Sequence, residues 1–232
     1  MGFSFVAVAS AQTSSSGTSG TASSTLNVQS GDLLVGMFGY RGLTELSGLV
    51  MSETDGTSNV MTLLSQDHSA NHSGVMGYKI AASANAAASF RVAHTESVAY
   101  RTWVVYQFRP DGGETVELDG GRNVAQGNST APASASFSTT GTDEVIVGFL
   151  SKYALRTTSS PLIAGAAADG SNLFDYASAW YKIFTETQSS ITARATLATS
   201  TNWIQYAVAF KSAGAGGIKI PVVIALRKNQ GA

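Results

Sequence analysis

One pattern of strand-like segments occurs twice in this chain, and this duplication constrains the fold more than any other sequence feature. Each copy has an aromatic-Lys-Ile segment, then small residues, then a Trp-led segment that ends in Phe. The segments of the two copies are residues 75–80 and 101–108, and residues 179–183 and 201–210. Because each segment has the length and composition of a β-strand, the repeat predicts a sheet structure built from two related halves.

A second pair of segments lies upstream of these motifs. An apolar run containing Gly36 follows Asp32, and a similar run containing Gly148 follows Asp143. We therefore expect half-repeats at about residues 26–110 and 137–212. The strands of Gly36 and Gly148 should occupy corresponding positions, and so should the strands of Trp103 and Trp203.

The hydrophobic pattern predicts an all-β fold. No stretch keeps a 3.6-residue period over the length of a helix, whereas about a dozen short segments have strand character. Residues 3–10 resemble a short signal peptide, but they alternate in polarity and lack a basic leader, so we interpret them as the first strand. The expected architecture is an antiparallel, jelly-roll-like β-sandwich in one domain, residues 1–212.

Composition excludes several classes of function. Charged residues make up 12% of the chain and the net charge is −1, which gives no electrostatic basis for binding nucleic acid or an acidic membrane. No run approaches the roughly 20 apolar residues of a membrane span. The chain has no Cys, so disulfides and Cys-based metal sites are excluded. We expect neither a membrane nor a nucleic-acid partner.

The C-terminal stretch, residues 213–232, differs from the rest. A Gly-rich hinge leads into an apolar segment with the period of a strand, which Pro221 marks as an edge or bulge. We expect this extension strand to contact neighbouring subunits, because an exposed apolar edge needs a partner. The predicted contact residues are Ile218, Ile220, Val222, Ile224, Leu226, Arg227 and Lys228.

Metal sites are weakly indicated. His68 and His72 are four residues apart, but Ser, Asn and Gly surround them, so the pattern favours a solvated polar loop at residues 66–74. The oxygen-rich segment at residues 53–59, around Asp55, and the turn at residues 169–172 resemble calcium loops, yet their ligand sets are thin and plain turns are the favoured interpretation. We expect no metal and no cofactor.

Catalytic motifs are also lacking. The chain contains no Gly-x-Ser-x-Gly and no phosphate-binding loop, and nothing selects a catalytic pair among its carboxylates. The carboxylates that could belong to such a pair are Glu53, Asp55, Glu96, Glu117 and Asp119. We predict that the protein is not an enzyme. Trp103, Trp180 and Trp203 could form a sugar-stacking platform, but their places in repeated strands favour core packing.

The order of motifs resembles a β-sandwich module of tailed-bacteriophage virion proteins and of some bacterial surface proteins. The resemblance covers roughly residues 3–211 and is one of pattern. It is carried by residues 31–35, the turn at Asp55, Tyr78-Lys79-Ile80, residues 104–108, Leu118-Asp119, residues 143–148 and the strand from Trp203. It implies a structural or adhesive role and carries over no catalytic residue.

The resemblance leads to one expected function and two alternatives. We expect a structural virion protein, first a capsid-surface decoration protein that binds capsid or tail subunits and copies of itself. A tail or fibre component is one alternative. A carbohydrate-binding or adhesive module, with a surface glycan as partner, is the other. The expected location is the virion, or otherwise the extracellular space or the cell surface.

Overall fold

The computed structural model describes residues 2–42, 45–53, 60–153 and 157–213. Within these residues the chain forms seventeen β-strands and one 3₁₀ turn, Asp111–Gly113. The paired strands run antiparallel throughout. The prediction of an all-β antiparallel sandwich is confirmed. The described residues form no helix long and apolar enough to cross a membrane.

The strands fall into two halves along the sequence. Those of the first half are β1 (Phe3–Thr13), β2 (Gly17–Thr21), β3 (Leu26–Val28), β4 (Leu33–Arg41), β5 (Val50–Glu53), β6 (Thr62–Ser69), β7 (His72–Ile80), β8 (Asn85–Ala88) and β9 (Phe90–Pro110). Those of the second half are β10 (Thr115–Ser129), β11 (Glu144–Lys152), β12 (Thr158–Ile163), β13 (Ala166–Ala167), β14 (Gly170–Leu173), β15 (Ala177–Phe184), β16 (Ala193–Leu197) and β17 (Thr201–Ala213).

Each half contributes one large sheet, and the two sheets are ordered alike. The first has the order β1-β9-β4-β7-β6 and the second β10-β17-β11-β15-β14. The registers also match, because Val35 lies opposite Tyr78 in β4–β7 and Val147 lies opposite Tyr181 in β11–β15. This shared order is what the half-repeat hypothesis expects. Superposition of the two halves remains its test, and the jelly-roll connectivity stays a prediction.

The tryptophans do not occupy equivalent register positions, although their strands correspond. Trp103 of β9 lies opposite Phe38, two residues beyond Gly36, whereas Trp203 of β17 lies opposite Lys152, four residues beyond Gly148. The residue that does occupy a matching register position in both halves is the phenylalanine at the end of each Trp-led segment. Phe108 lies opposite Leu33, and Phe210 lies opposite Val145, at matching positions of β4 and β11.

The central core lies between the two large sheets, and each sheet also buries its outer face. The central cluster takes inward-facing residues of both halves, among them Val35, Tyr106, Val147 and Tyr206. β2, β3, β5, β8 and the first part of β9 cover the outer face of the first sheet. β12, β13 and β16 cover that of the second. Because both faces are buried, β4 and β11 read as continuous apolar runs.

Aromatic and apolar residues of the repeated strands are buried. Val105, Val147, Tyr181 and Trp203 are at most 7% exposed. The three tryptophans belong to the outer clusters, so they form no surface platform for sugars. The repeated glycine has a packing role, because a Cβ at Gly148 would lie 2.7 Å from the Trp180 indole.

Local expectations had different outcomes. Residues 66–74 are not a polar loop, because β6 and β7 run through them as a hairpin. The link between the halves contains a long strand, β10, which bulges at Gly120 and Gly121, both with positive φ. Of residues 213–232 only Ala213 is described. The predicted extension strand and its contact residues, Ile218 to Lys228, lie outside the described residues.

Candidate functional site

Three strand ends and a bend within a fourth strand bring an arginine and three tyrosines together at one end of the sandwich. Arg41 is the last residue of β4, and Tyr153 follows β11. Tyr100 lies at a bend in β9, where its φ is 52°, and Tyr176 directly precedes β15. We call these four residues the tyrosine cluster. It lies across the junction of the two halves, since Arg41 and Tyr100 come from the first and Tyr153 and Tyr176 from the second.

The guanidinium group of Arg41 lies between two aromatic rings. Its Cζ is 5.2 Å from the ring centroids of both Tyr100 and Tyr153, which is within the range of cation–π attraction. Arg41 Nη2 also donates a hydrogen bond of 3.2 Å to the Tyr153 hydroxyl. The Tyr100 and Tyr176 rings are in contact, with centroids 4.7 Å apart. The arginine is exposed and the three tyrosines are half-buried.

A polar pair adjoins the tyrosine cluster. The Asp175 N–H donates to Gln12 Oε1 at 3.0 Å, and Gln12 Nε2 donates to Asp175 Oδ2 at 3.4 Å. Burial raises the pKa of Tyr176, and the nearby Tyr100 and Asp175 raise it further, so its hydroxyl stays neutral and can donate at neutral pH. Aromatic rings beside an amide, a carboxylate and a guanidinium form a surface that can stack on a ligand and hydrogen-bond its edges.

The opposite end of β4 borders a groove, which we call the end groove. Its volume is about 660 Å³. Its lining residues are Gln29, Ser30, Gly31, Ile80, Arg109, Pro110, Gly113, Glu114, Thr115 and Val116. The described part of the chain ends beside it, because Ala213 pairs with Thr115, whose Oγ1 donates to the Ala213 carbonyl at 3.0 Å.

A buried carboxylate holds one wall of the end groove in place. Asp32 accepts two hydrogen bonds from Arg109, at 2.8 and 2.9 Å, and others from Gln107 Nε2 and the Gln29 N–H. Burial alone would raise the pKa of Asp32, but these bonds and the Arg109 charge outweigh it and hold the pKa below its ordinary value. This network fixes Arg109, whose side chain is 41% exposed, at the groove.

The second half has two buried carboxyl groups at its corresponding end. Asp119 accepts hydrogen bonds from the N–H groups of Thr140 and Gly141 and from the Thr140 hydroxyl, at 2.7, 3.0 and 2.8 Å. Glu144 is fully buried beside it. Burial and the neighbouring Asp119 raise the pKa of Glu144 to about 7, whereas the hydrogen bonds to Asp119 keep its own pKa low despite burial. Both groups are inaccessible to a substrate, so they form no glycosidase pair.

The histidines do not form a metal site. His72 is only 1% exposed, which contradicts the expected solvated loop, and burial lowers its pKa to about 4. His68 Nδ1 instead lies 2.7 Å from the Ser73 hydroxyl. In the part of the chain that the structure describes, no three His, Asp or Glu side chains come together as metal ligands.

The carboxylates of the two segments that resemble calcium loops differ in their surroundings. Asp169 accepts hydrogen bonds from Lys182 Nζ, at 2.9 Å, and from the Ile183 N–H, at 2.7 Å. The expected plain turn at residues 169–172 is wrong, because residues 170–172 belong to β14 and pair with β15. Asp55 lies outside the described residues. Glu53 is buried and contacts Lys79. The tyrosine cluster was not predicted, because its residues come from four segments that only the sheet pairing brings together.

Comparisons with known proteins give no family assignment. No protein-family model, no curated protein and no solved structure matches the chain.

Proposed function

We propose that this chain is a structural virion subunit of a tailed bacteriophage, and specifically a capsid-surface decoration protein that binds neighbouring subunits. The resemblance of its motif order to virion β-sandwich modules supports this function. So does the packing of the buried apolar side chains into three clusters, between the sheets and on their outer faces. A sandwich whose sequence continues into an apolar segment suits a protein that binds larger subunits together.

The observation that carries the proposal is the place where β17 ends. Its last residue, Ala213, lies at the rim of the end groove, opposite Thr115. The sequence after it continues with the Gly-rich hinge and the alternating apolar residues from Ile218 to Leu226. These residues have the composition of an adhesive segment. We propose that this segment binds a neighbouring subunit and that Arg227 and Lys228 meet acidic or carbonyl groups there.

Removal of the tail tests this function. A variant lacking residues 214–232 should remain a folded sandwich but should lose self-association and binding to its virion particles. Its fold is measured by thermal unfolding and its association by sedimentation velocity over a range of concentrations. A full-length variant with Ile220→Ser, Val222→Ser and Ile224→Ser is the matched control for length, and it should lose association as well. A stable full-length monomer whose truncated form cannot fold would show that the segment belongs to its own sandwich.

A second candidate function is binding of a surface glycan, and the tyrosine cluster favours it. Sugars are bound by aromatic faces together with planar hydrogen-bonding groups, which Tyr176, Arg41, Asp175 and Gln12 provide in one exposed area. On a glycan array of defined oligosaccharides, Arg41→Ala and Tyr176→Ala should each weaken binding at least tenfold. Arg91→Ala, which removes an exposed arginine from β9 far from the cluster, should not. Absence of binding by the wild-type protein would exclude this candidate.

A further inference from the structure

One buried carboxylate holds a lysine amine and an asparagine amide side by side. Lys79 Nζ lies 3.1 Å from Glu53 Oε1, and Asn85 Nδ2 lies 3.3 Å from Glu53 Oε2. Because the two nitrogen atoms bind the two oxygens of one carboxyl group, Glu53 can exchange protons with both the amine and the carboxamide. This geometry joins residues of three strands, β5, β7 and β8.

The three side chains lie over apolar surface. Lys79 pairs with Leu34 and Asn85 pairs with Val28, and both of these apolar residues belong to the cluster on the outer face of the first sheet. Glu53 is 4% exposed and the Lys79 side chain is 12% exposed. A charged pair in such surroundings has lost most of its solvation, so transfer of the lysine proton to the carboxylate removes two charges from a poorly solvated site.

We propose that Lys79 and Asn85 form an intramolecular isopeptide bond, with Glu53 as the catalytic residue. After Glu53 takes a proton from Lys79, the neutral amine attacks Cγ of Asn85. The Nζ–Cγ bond forms and the Cγ–Nδ2 bond breaks. Glu53 returns this proton to the departing nitrogen, which leaves as ammonia, and then takes the surplus proton from the new amide nitrogen, so that Glu53 ends the reaction protonated. The reaction needs no oxidant and no cofactor, and the fixed positions of the reacting groups supply its effective concentration.

The surface pair of Lys182 and Asp169 is the natural comparison. Its ion-pair distance, 2.9 Å, is similar to that of Lys79 and Glu53, but Asp169 binds the Ile183 N–H in addition to Lys182. The contact between Lys182 and Asp169 is therefore that of an ordinary surface ion pair. Glu53 differs because it is more deeply buried and presents a carboxamide to the same lysine.

Mass spectrometry of the full-length protein tests the proposal. The intact mass should be lower than the sequence mass by one ammonia. Trypsin should fail to cleave after Lys79, so that residues 42–91 are recovered as one peptide that has lost ammonia. Lys79→Arg, Asn85→Ala and Glu53→Gln should each restore the unmodified mass, whereas Lys182→Arg should keep the loss.

Two results would overturn the proposal. One is a wild-type intact mass equal to the sequence mass, with separate peptides 42–79 and 80–91. The other is an ammonia loss that persists in Lys79→Arg, which would identify a succinimide at Asn85 rather than a bond to the lysine. Lys79→Arg keeps a cation beside Glu53, so this variant remains informative if the Glu53 substitution prevents folding.

Discussion

Two acidic residues at matching positions show how single neighbours set the charge of a buried group. Asp32 directly precedes Leu33 at the start of β4, and Glu144 directly precedes Val145 at the start of β11. Leu33 and Val145 occupy matching positions, because Leu33 lies opposite Phe108 and Val145 lies opposite Phe210. Asp32 has Arg109 as its partner and stays ionised, whereas Glu144 has the carboxyl group of Asp119 beside it. The sequence repeat matches Asp32 with Asp143, whereas the strand register makes Glu144 the equivalent residue. The different charge states of Asp32 and Glu144 could not be predicted either, because Arg109 and Asp119 lie far away along the chain.

The raised pKa of Glu144 makes stability depend on pH. Its folded-state pKa is about 7 against an ordinary value of 4.5, so the folded protein holds the proton more tightly than the unfolded chain. The resulting stabilisation is complete below about pH 4.5 and is lost as the pH rises through 7, to a total of about 3 kcal/mol. We expect Glu144→Gln, which cannot ionise, to remove this loss, so that the variant gains stability over the wild type between pH 5 and pH 8.

Thermal unfolding of both proteins across that pH range measures the difference. His72 contributes equally to the pH dependence of both proteins, so its contribution cancels when the stability of the wild type is subtracted from that of the variant. This contribution has the opposite sign, because the folded-state pKa of His72 is lowered to about 4 and stability therefore increases as the pH rises. Glu117→Gln is the matched control, since Glu117 is an exposed carboxylate on β10, two residues before Asp119. A constant difference between Glu144→Gln and wild type at every pH would show that Glu144 does not titrate in this window.

At the scale of elements, apolar strands were predictable and polar strands were not. The apolar runs of β4 and β11 are recognisable in the sequence, because both faces of each strand are buried. The hairpin of β6 and β7 was mistaken for a loop because its residues include His68, Ser69, His72 and Ser73, yet His72 and Ser73 are buried between packed elements. Local composition predicts polarity at such positions, whereas their burial is a consequence of tertiary pairing.

The strand β10 was missed for a related reason. Its sequence contains Gly120 and Gly121 and few apolar residues, which are features of a turn. Among the described residues it is an edge strand that pairs only with β17, and the two glycines form a bulge within that pairing. Edge strands tolerate polar and irregular sequences because one side needs no ladder partner, so long-range pairing decides their conformation.

At the scale of the whole molecule, reciprocal hydrogen bonds join the two halves. The Tyr106 hydroxyl of the first half donates to the Ala179 carbonyl at 2.9 Å, and the Tyr206 hydroxyl of the second half donates to the Gly74 carbonyl at 2.6 Å. Both tyrosines are at most 1% exposed and lie in the central cluster. Since neither half can cover this cluster alone, the halves should fold as one cooperative unit.

We therefore expect Tyr106→Phe and Tyr206→Phe each to lower the stability of one and the same unfolding transition. Each change leaves a buried carbonyl without its hydroxyl donor, which costs about 1–3 kcal/mol. Calorimetry should show a single peak whose midpoint falls in both variants, and Tyr100→Phe, at the half-buried tyrosine cluster, should leave that midpoint nearly unchanged. Two separate peaks, with each variant shifting only one of them, would mean that the halves are independent domains and that the central cluster does not couple them.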